Sequence, residues 1–95
     1  MEQIIHKVKN GARIVDVRSP MEFAGGHFAG AVNIPVQELQ FRVNEVGAPH
    51  ESIILYCASG ARSGMAAMML SQMGFSDVVN AGGVRNMQML AAALN

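Results

Sequence analysis

Cys57 is the only cysteine in the chain, and Arg62 is the only charged side chain between Ser52 and Ser76. They stand at the two ends of the short stretch CASGAR, which follows the apolar run IILY. A thiol in such a place becomes a nucleophile when nearby donors favour the thiolate over the neutral form. The intervening residues Ala58, Ser59, Gly60 and Ala61 are small, and Gly60 is free to take a positive φ. A tight curl of this kind turns successive N–H groups inward. It then runs into the unpaired amides that begin the next helix, making a bowl of positive potential with Cys57 at the bottom. Ser63 is placed to cap that helix and to donate its hydroxyl to the same anion. Arg62 has two possible tasks, binding an anionic substrate or tying the loop to a carboxylate, and the first is the expected one. The competing reading, Cys57 as a small buried hydrophobe, does not account for the run of small residues or for the arginine.

The other chemistry-bearing residues are expected to be structural. Asp16 falls at the end of a strand, near the same rim. A carboxylate there opposes anion binding, so it is expected to support the site as a hydrogen-bond acceptor. Arg18 and Glu22, four apart, suggest a surface ion pair. His27 is expected to stabilise the fold, and His6 and His50 to be solvated. Three scattered histidines and one cysteine suggest no metal site, and no metal or other cofactor is expected. The eight methionines are expected to fill gaps between helices and sheet.

The elements that must hold this loop follow from the pattern of apolar residues. Ile4, Ile5 and Val8 share one face of a helix over Glu2–Asn10, ended by Gly11. ARIVDV, Ala12 to Val17, predicts a buried strand. Ser19, Pro20 and Glu22 supply an N-cap, a first-turn proline and a capping-box partner for a helix that Gly25 and Gly26 end. Ala31–Pro35 predicts a second strand, and Leu39, Val43 and Val46 a helix over 36–46. Ile53–Cys57 predicts a central strand, covered on both faces. The stretch from Arg62 to Met73 predicts a helix buried nearly all round and closed by Gly74. Asp77–Asn80 predicts the last strand, Gly82 and Gly83 a turn, and Val84–Leu94 the last helix. Strands alternating with helices through short loops give an α/β fold, a three-layer sandwich with a mainly parallel central sheet flanked by helices. Sites in such sheets form outside the carboxyl ends of the strands, where Cys57 stands.

Composition sets the outer bounds. At 95 residues, with 51% hydrophobic and 15% charged residues, the chain is expected to be one domain over 1–95. A chain of this size buries roughly 60–65% of its unfolded surface. Zero formal charge, with both signs interspersed, excludes the electrostatic footprint of a nucleic-acid or anionic-membrane binder. The opening MEQIIHKVKNG lacks the apolar core of a signal peptide and no apolar run is long enough for a bilayer, so a cytoplasmic location is expected.

The order DVR (16–18), EF (22–23), GHFAGAVNIP (26–35), YC with GARS (56–63) and GG (82–83) resembles the rhodanese family of sulfurtransferases over nearly the whole chain. The resemblance implies the rhodanese fold, with Cys57 carrying a persulfide cradled by the amides of Ala58, Ser59, Gly60, Ala61, Arg62 and Ser63. It implies a double displacement: Cys57 takes the outer sulfur of thiosulfate or a similar donor, then hands it to cyanide, a thiol or a protein acceptor. Relatives commonly carry tryptophan four positions after the glycine pair. Met87 stands there in this chain, a change expected to affect core packing. A module that relays sulfur without turnover is the first alternative. A cysteine-dependent phosphatase or arsenate reductase is the second, disfavoured because four residues rather than five separate Cys57 from Arg62.

Overall fold

The computed structural model describes residues 1–95. Four strands, β1 (Arg13–Asp16), β2 (Val32–Asn33), β3 (Ser52–Tyr56) and β4 (Asp77–Asn80), form one sheet in the order β2-β1-β3-β4. All three pairings are parallel, with Val15 opposite Leu55 and Leu55 opposite Asn80. The helices are α1 (Glu2–Lys9), α2 (Pro20–Ala24), α3 (Ala61–Gln72) and α4 (Val84–Leu94). None is long and apolar enough to cross a membrane.

Strand parity divides the core into two layers. Val15, Val17, Ile53 and Leu55 face Ala66 and Leu70 of α3 together with Leu39 and Val46. Ile14, Ile54 and Tyr56 face Met87 and Leu90 of α4, with Ile4, Ile5 and Val8 of α1 packed alongside. The sheet is thus covered on both sides, which is why Ile14 and Val15 of β1 and the run Ile53–Tyr56 of β3 are apolar on both faces. Parity also aims the thiol: Ile53, Leu55 and Cys57 share the α3 side, so the residue after the strand points at the start of α3.

The chain leaves β1 for β2 on one side of the sheet and leaves β3 for β4 on the other. The carboxyl ends of β1 and β3 therefore flank the point where connections diverge, the place where parallel sheets leave a crevice. Asp16 and Cys57 both stand there.

Three expectations about elements need correction. The 36–46 segment is two 3-10 turns, Val36–Phe41 and Val43–Glu45, rather than one helix. The break comes at Arg42, which leaves the helical conformation at φ −126° and ψ 25° and whose guanidinium reaches Glu38, Glu45 and the Asn33 carbonyl. Helix α3 is buried on one side only, through Ser63, Ala66 and Leu70, while Met65 and Met68 are 58% and 65% exposed. No layer lies beyond its outer face. For the same reason most methionines do not fill the core: Met1, Met21, Met65, Met68, Met73 and Met89 are exposed, and only Met87 is buried. Met87 packs with Tyr56 and Leu90, the core position expected of it.

Candidate active site

The thiol of Cys57 is 1% exposed and lies under the curl that joins β3 to α3. Gly60 takes φ 105° as the N-cap of α3, a left-handed conformation in which other residues are strained. That conformation turns the loop amides towards the sulfur. The Gly60 N–H donates to Sγ at 3.0 Å, and the Ser63 N–H donates at 3.4 Å. The Ser63 hydroxyl is 3.4 Å from Sγ but 2.7 Å from Oδ1 of Asn80. It carries a single proton, so the two amides are the fixed donors and the hydroxyl is shared.

Burial pushes the Cys57 thiol up, because a charge is costly away from water. Hydrogen bonds from the Ser63 hydroxyl and the amides of Ser63, Ser59 and Gly60 outweigh burial and hold the pKa down at about 7. These hydrogen-bond donors are the largest influences that lower it.

The loop is bolted to its surroundings by residues that sequence reasoning did not single out. The Asn80 side chain donates to the Gly60 carbonyl at 3.1 Å, and its Oδ1 accepts from the Gly82 N–H at 2.9 Å. The Cys57 N–H donates to the Gly82 carbonyl at 3.1 Å, and Ser59 bridges to Gly83. A Cβ on Gly83 would collide with the Ala58 carbonyl, which explains that glycine sterically. The pair Gly82 and Gly83 was visible as a turn. Its contact with the cysteine loop joins residues some 25 positions apart and leaves no local pattern.

Two expectations about Arg62 and Glu22 change. Arg62 donates through Nη1 and Nη2 to the two carboxylate oxygens of Glu22, at 2.7 Å and 3.0 Å. The tie to a carboxylate, the second of its two possible tasks, is the one displayed. Glu22 is therefore not paired with Arg18. It is held in place by the predicted capping box: Oε1 accepts from the Ser19 N–H at 3.0 Å, and the Glu22 N–H donates to the Ser19 hydroxyl at 3.2 Å. The Arg62 hydrogen bonds, with help from Ser19, lower the Glu22 pKa to about 2. Ser63, in turn, does not cap α3. The N-cap is Gly60 and no side chain caps that end; three places further on, the Ser63 side chain faces inward to Asn80 and Cys57.

Arg18 is buried rather than on the surface, and its partner is Asp16. Nη2 donates to Oδ2 at 2.6 Å, Nε to both carboxylate oxygens at 3.0 Å, and Nη2 also to the Gly26 carbonyl at 2.7 Å. Asp16 is fully buried and further accepts from the Arg18 N–H at 2.9 Å. Its carboxylate is thus consumed by contacts within the fold. Tyr56 lies under the Arg18 guanidinium, 5.6 Å from ring centroid to Cζ, and accepts from the Phe28 N–H at 3.0 Å. Burial raises its pKa to about 12, so the hydroxyl stays protonated. His27 is exposed, stacks on Phe23 with centroids 3.6 Å apart, and sits with Nδ1 3.0 Å from the Phe23 carbonyl oxygen. His6 and His50 are also exposed.

This arrangement suits a nucleophilic thiol. A partly ionised thiol lies within a ring of fixed amides that can hold a second anionic atom attached to it.

Comparison with known proteins shows the family. The profile of the rhodanese-like domain family matches residues 1–89. YqhL of Bacillus subtilis is 44% identical over 69 residues, covering 73% of this chain and 54% of YqhL, so the match spans about half the length of that relative. The thiosulfate sulfurtransferase PspE of Escherichia coli is 38% identical over 76 residues, covering 79% of this chain and 73% of PspE. A solved structure described as rhodanese with anions, from E. coli, superposes with a TM-score of 0.76 at 36% identity, covering 80% of this chain and 91% of that one. With a parallel α/β sheet, a cysteine loop opening at its divergence point and a family match over nearly all of its length, this chain belongs to the rhodanese-like domain family.

Proposed function

We propose that the protein is a sulfurtransferase in which Cys57 carries the sulfur. The observation that bears most weight is the buried Sγ receiving the Gly60 and Ser63 amides at 3.0 Å and 3.4 Å. The Cys57 thiolate attacks the outer sulfur of thiosulfate, the S–S bond breaks, and its electron pair leaves with sulfite. The persulfide so formed carries its charge on the terminal sulfur, within reach of the amides of Ala58, Ser59, Gly60, Ala61, Arg62 and Ser63. An acceptor, either cyanide or a thiol, then attacks that terminal sulfur, and the electron pair of the persulfide bond returns to Cys57. Asp16 supports the site through Arg18, and Arg62 stands on the substrate side. The chemistry needs a free thiol, which fits the reducing cytoplasm.

Intact-mass measurement after treatment with thiosulfate tests this reading. One added sulfur, about 32 Da, is expected on the native protein and none on Cys57→Ser. No adduct with any sulfane-sulfur donor, together with turnover of an aryl phosphate, would replace it with the phosphatase reading. A persulfide that neither cyanide nor small thiols discharge would favour a relay to a protein acceptor. A relative from Bacillus subtilis named as a putative sulfur carrier protein, 40% identical over 67 residues, gives that second reading its support.

A further inference from the structure

Resting on that reading, we infer that Glu22 is a specificity-determining residue, selecting singly charged sulfane-sulfur donors over the thiosulfate dianion by neutralising Arg62 at the mouth of the site. Each terminal nitrogen of Arg62 donates to one oxygen of Glu22. The carboxylate cannot easily swing aside, because Oε1 also accepts from the Ser19 N–H and Ser19 caps the same helix. The guanidinium is close enough to Cys57 for a thiolate there to stabilise its charge, so what reaches an incoming donor is the field of the pair rather than of a free cation. Glu22 borders a cavity of about 870 Å³ whose apolar walls include Met21, Phe28, Val84 and Met87. Its one arginine, Arg18, is buried and committed to Asp16 and the Gly26 carbonyl.

Counting formal charges at the mouth, the thiolate and Glu22 are negative and Arg62 is positive. Among these three groups the balance is one negative charge. Electrostatic work is proportional to the donor's charge, so on a logarithmic scale its effect on a dianion is twice that on a monoanion. Methanethiosulfonate is the matched probe: the same thiolate attack breaks the same S–S bond, the electron pair leaves with methanesulfinate instead of sulfite, and the donor carries one charge instead of two.

The test is kcat/KM for both donors in the native protein and in Glu22→Gln. Glutamine also serves at this position of a capping box, so α2 keeps its start. Thiosulfate is expected to improve on the order of tenfold and methanethiosulfonate about threefold, the square-root relation set by their charges. Equal factors for the two donors, no change in either, or a loss with thiosulfate would overturn the inference. A second measurement needs no variant. In the native protein, added sodium chloride is expected to raise kcat/KM for thiosulfate relative to methanethiosulfonate, as screening relieves the repulsion; a ratio that falls overturns it equally. Mass measurement separates the two failures. Absence of persulfide on native Cys57 with either donor defeats the sulfurtransferase reading, whereas a persulfide that forms with no charge-dependent effect at Glu22 defeats only this one.

Discussion

Two arginine–carboxylate pairs lie at the carboxyl ends of the central strands, alike in chemistry and opposite in burial. In Arg18–Asp16 the side chains are 7% and 0% exposed, and in Arg62–Glu22 they are 37% and 36% exposed. The first is nearly closed to solvent, joining β1 to the Gly26 turn and to Tyr56. Taking it from water carries a desolvation cost that such multiple hydrogen bonding offsets. The second is open to solvent and to substrate, so its contribution to stability is small while its charge remains visible to an incoming anion. Burial, rather than the identity of the ions, separates a structural pair from one that tunes the site.

The largest expected effect falls on the sealed pair. Arg18→Leu leaves the Asp16 carboxylate buried without its cation and should destabilise the fold by about 3–5 kcal/mol, read from the midpoint of urea unfolding. Asp16→Asn in the same chain should recover a substantial part. A loss below about 1 kcal/mol would show that the pair is solvated after all.

Between the two pairs lies the thiol, and Ser63→Ala tests how the loop sets its charge. Removing the hydroxyl should move the midpoint of the alkylation rate of Cys57 upward from about 7, by on the order of one pH unit, which corresponds to about 1.4 kcal/mol. A midpoint that does not move would assign the lowered pKa to the amides alone. Stability should follow in the same sense. A thiol whose pKa is lowered by folding contributes stability that is fully present above its unfolded pKa and is lost as pH falls through the folded value. The native protein should therefore gain stability from about pH 7 to about pH 9, and Ser63→Ala should gain less.

The smallest expected effect on stability is at the open pair. Arg62→Ala should shift the urea midpoint by the equivalent of under about 1 kcal/mol, several times less than Arg18→Leu. A loss as large as that of Arg18→Leu would erase the distinction between the pairs.

Much of this was legible in the sequence because it is local. The Ser19–Glu22 capping box, the positive φ at Gly60, the β3 run ending at Cys57 and the alternation of strands and helices each depend on neighbours a few residues apart. Their physical causes, a β-branched run, a missing Cβ or a hydroxyl three residues from an amide, can be read directly. The burial of α3 and the methionines was not legible, since an apolar helix looks the same whether or not another layer covers its outer face. Arg42 likewise interrupts the 36–46 segment through contacts with Asn33, Glu38 and Glu45 that periodicity does not contain.

The pairing of charges was the hardest to foresee. Arg18 and Glu22 have a spacing that suits one turn of helix, yet each found its partner elsewhere: Asp16 two residues back, and Arg62 forty residues on. The amino-acid sequence by itself determined that a thiol would stand at the end of a buried strand, followed by a curl only small residues allow, because those demands are set by backbone sterics over a few residues. Tertiary structure alone decided that Asn80 and the Gly82–Gly83 turn would brace the curl, and that Glu22 would meet Arg62. Such contacts depend on where separate elements come to rest around the sheet, and ionic attraction acts over distance in space with no regard to distance along the chain.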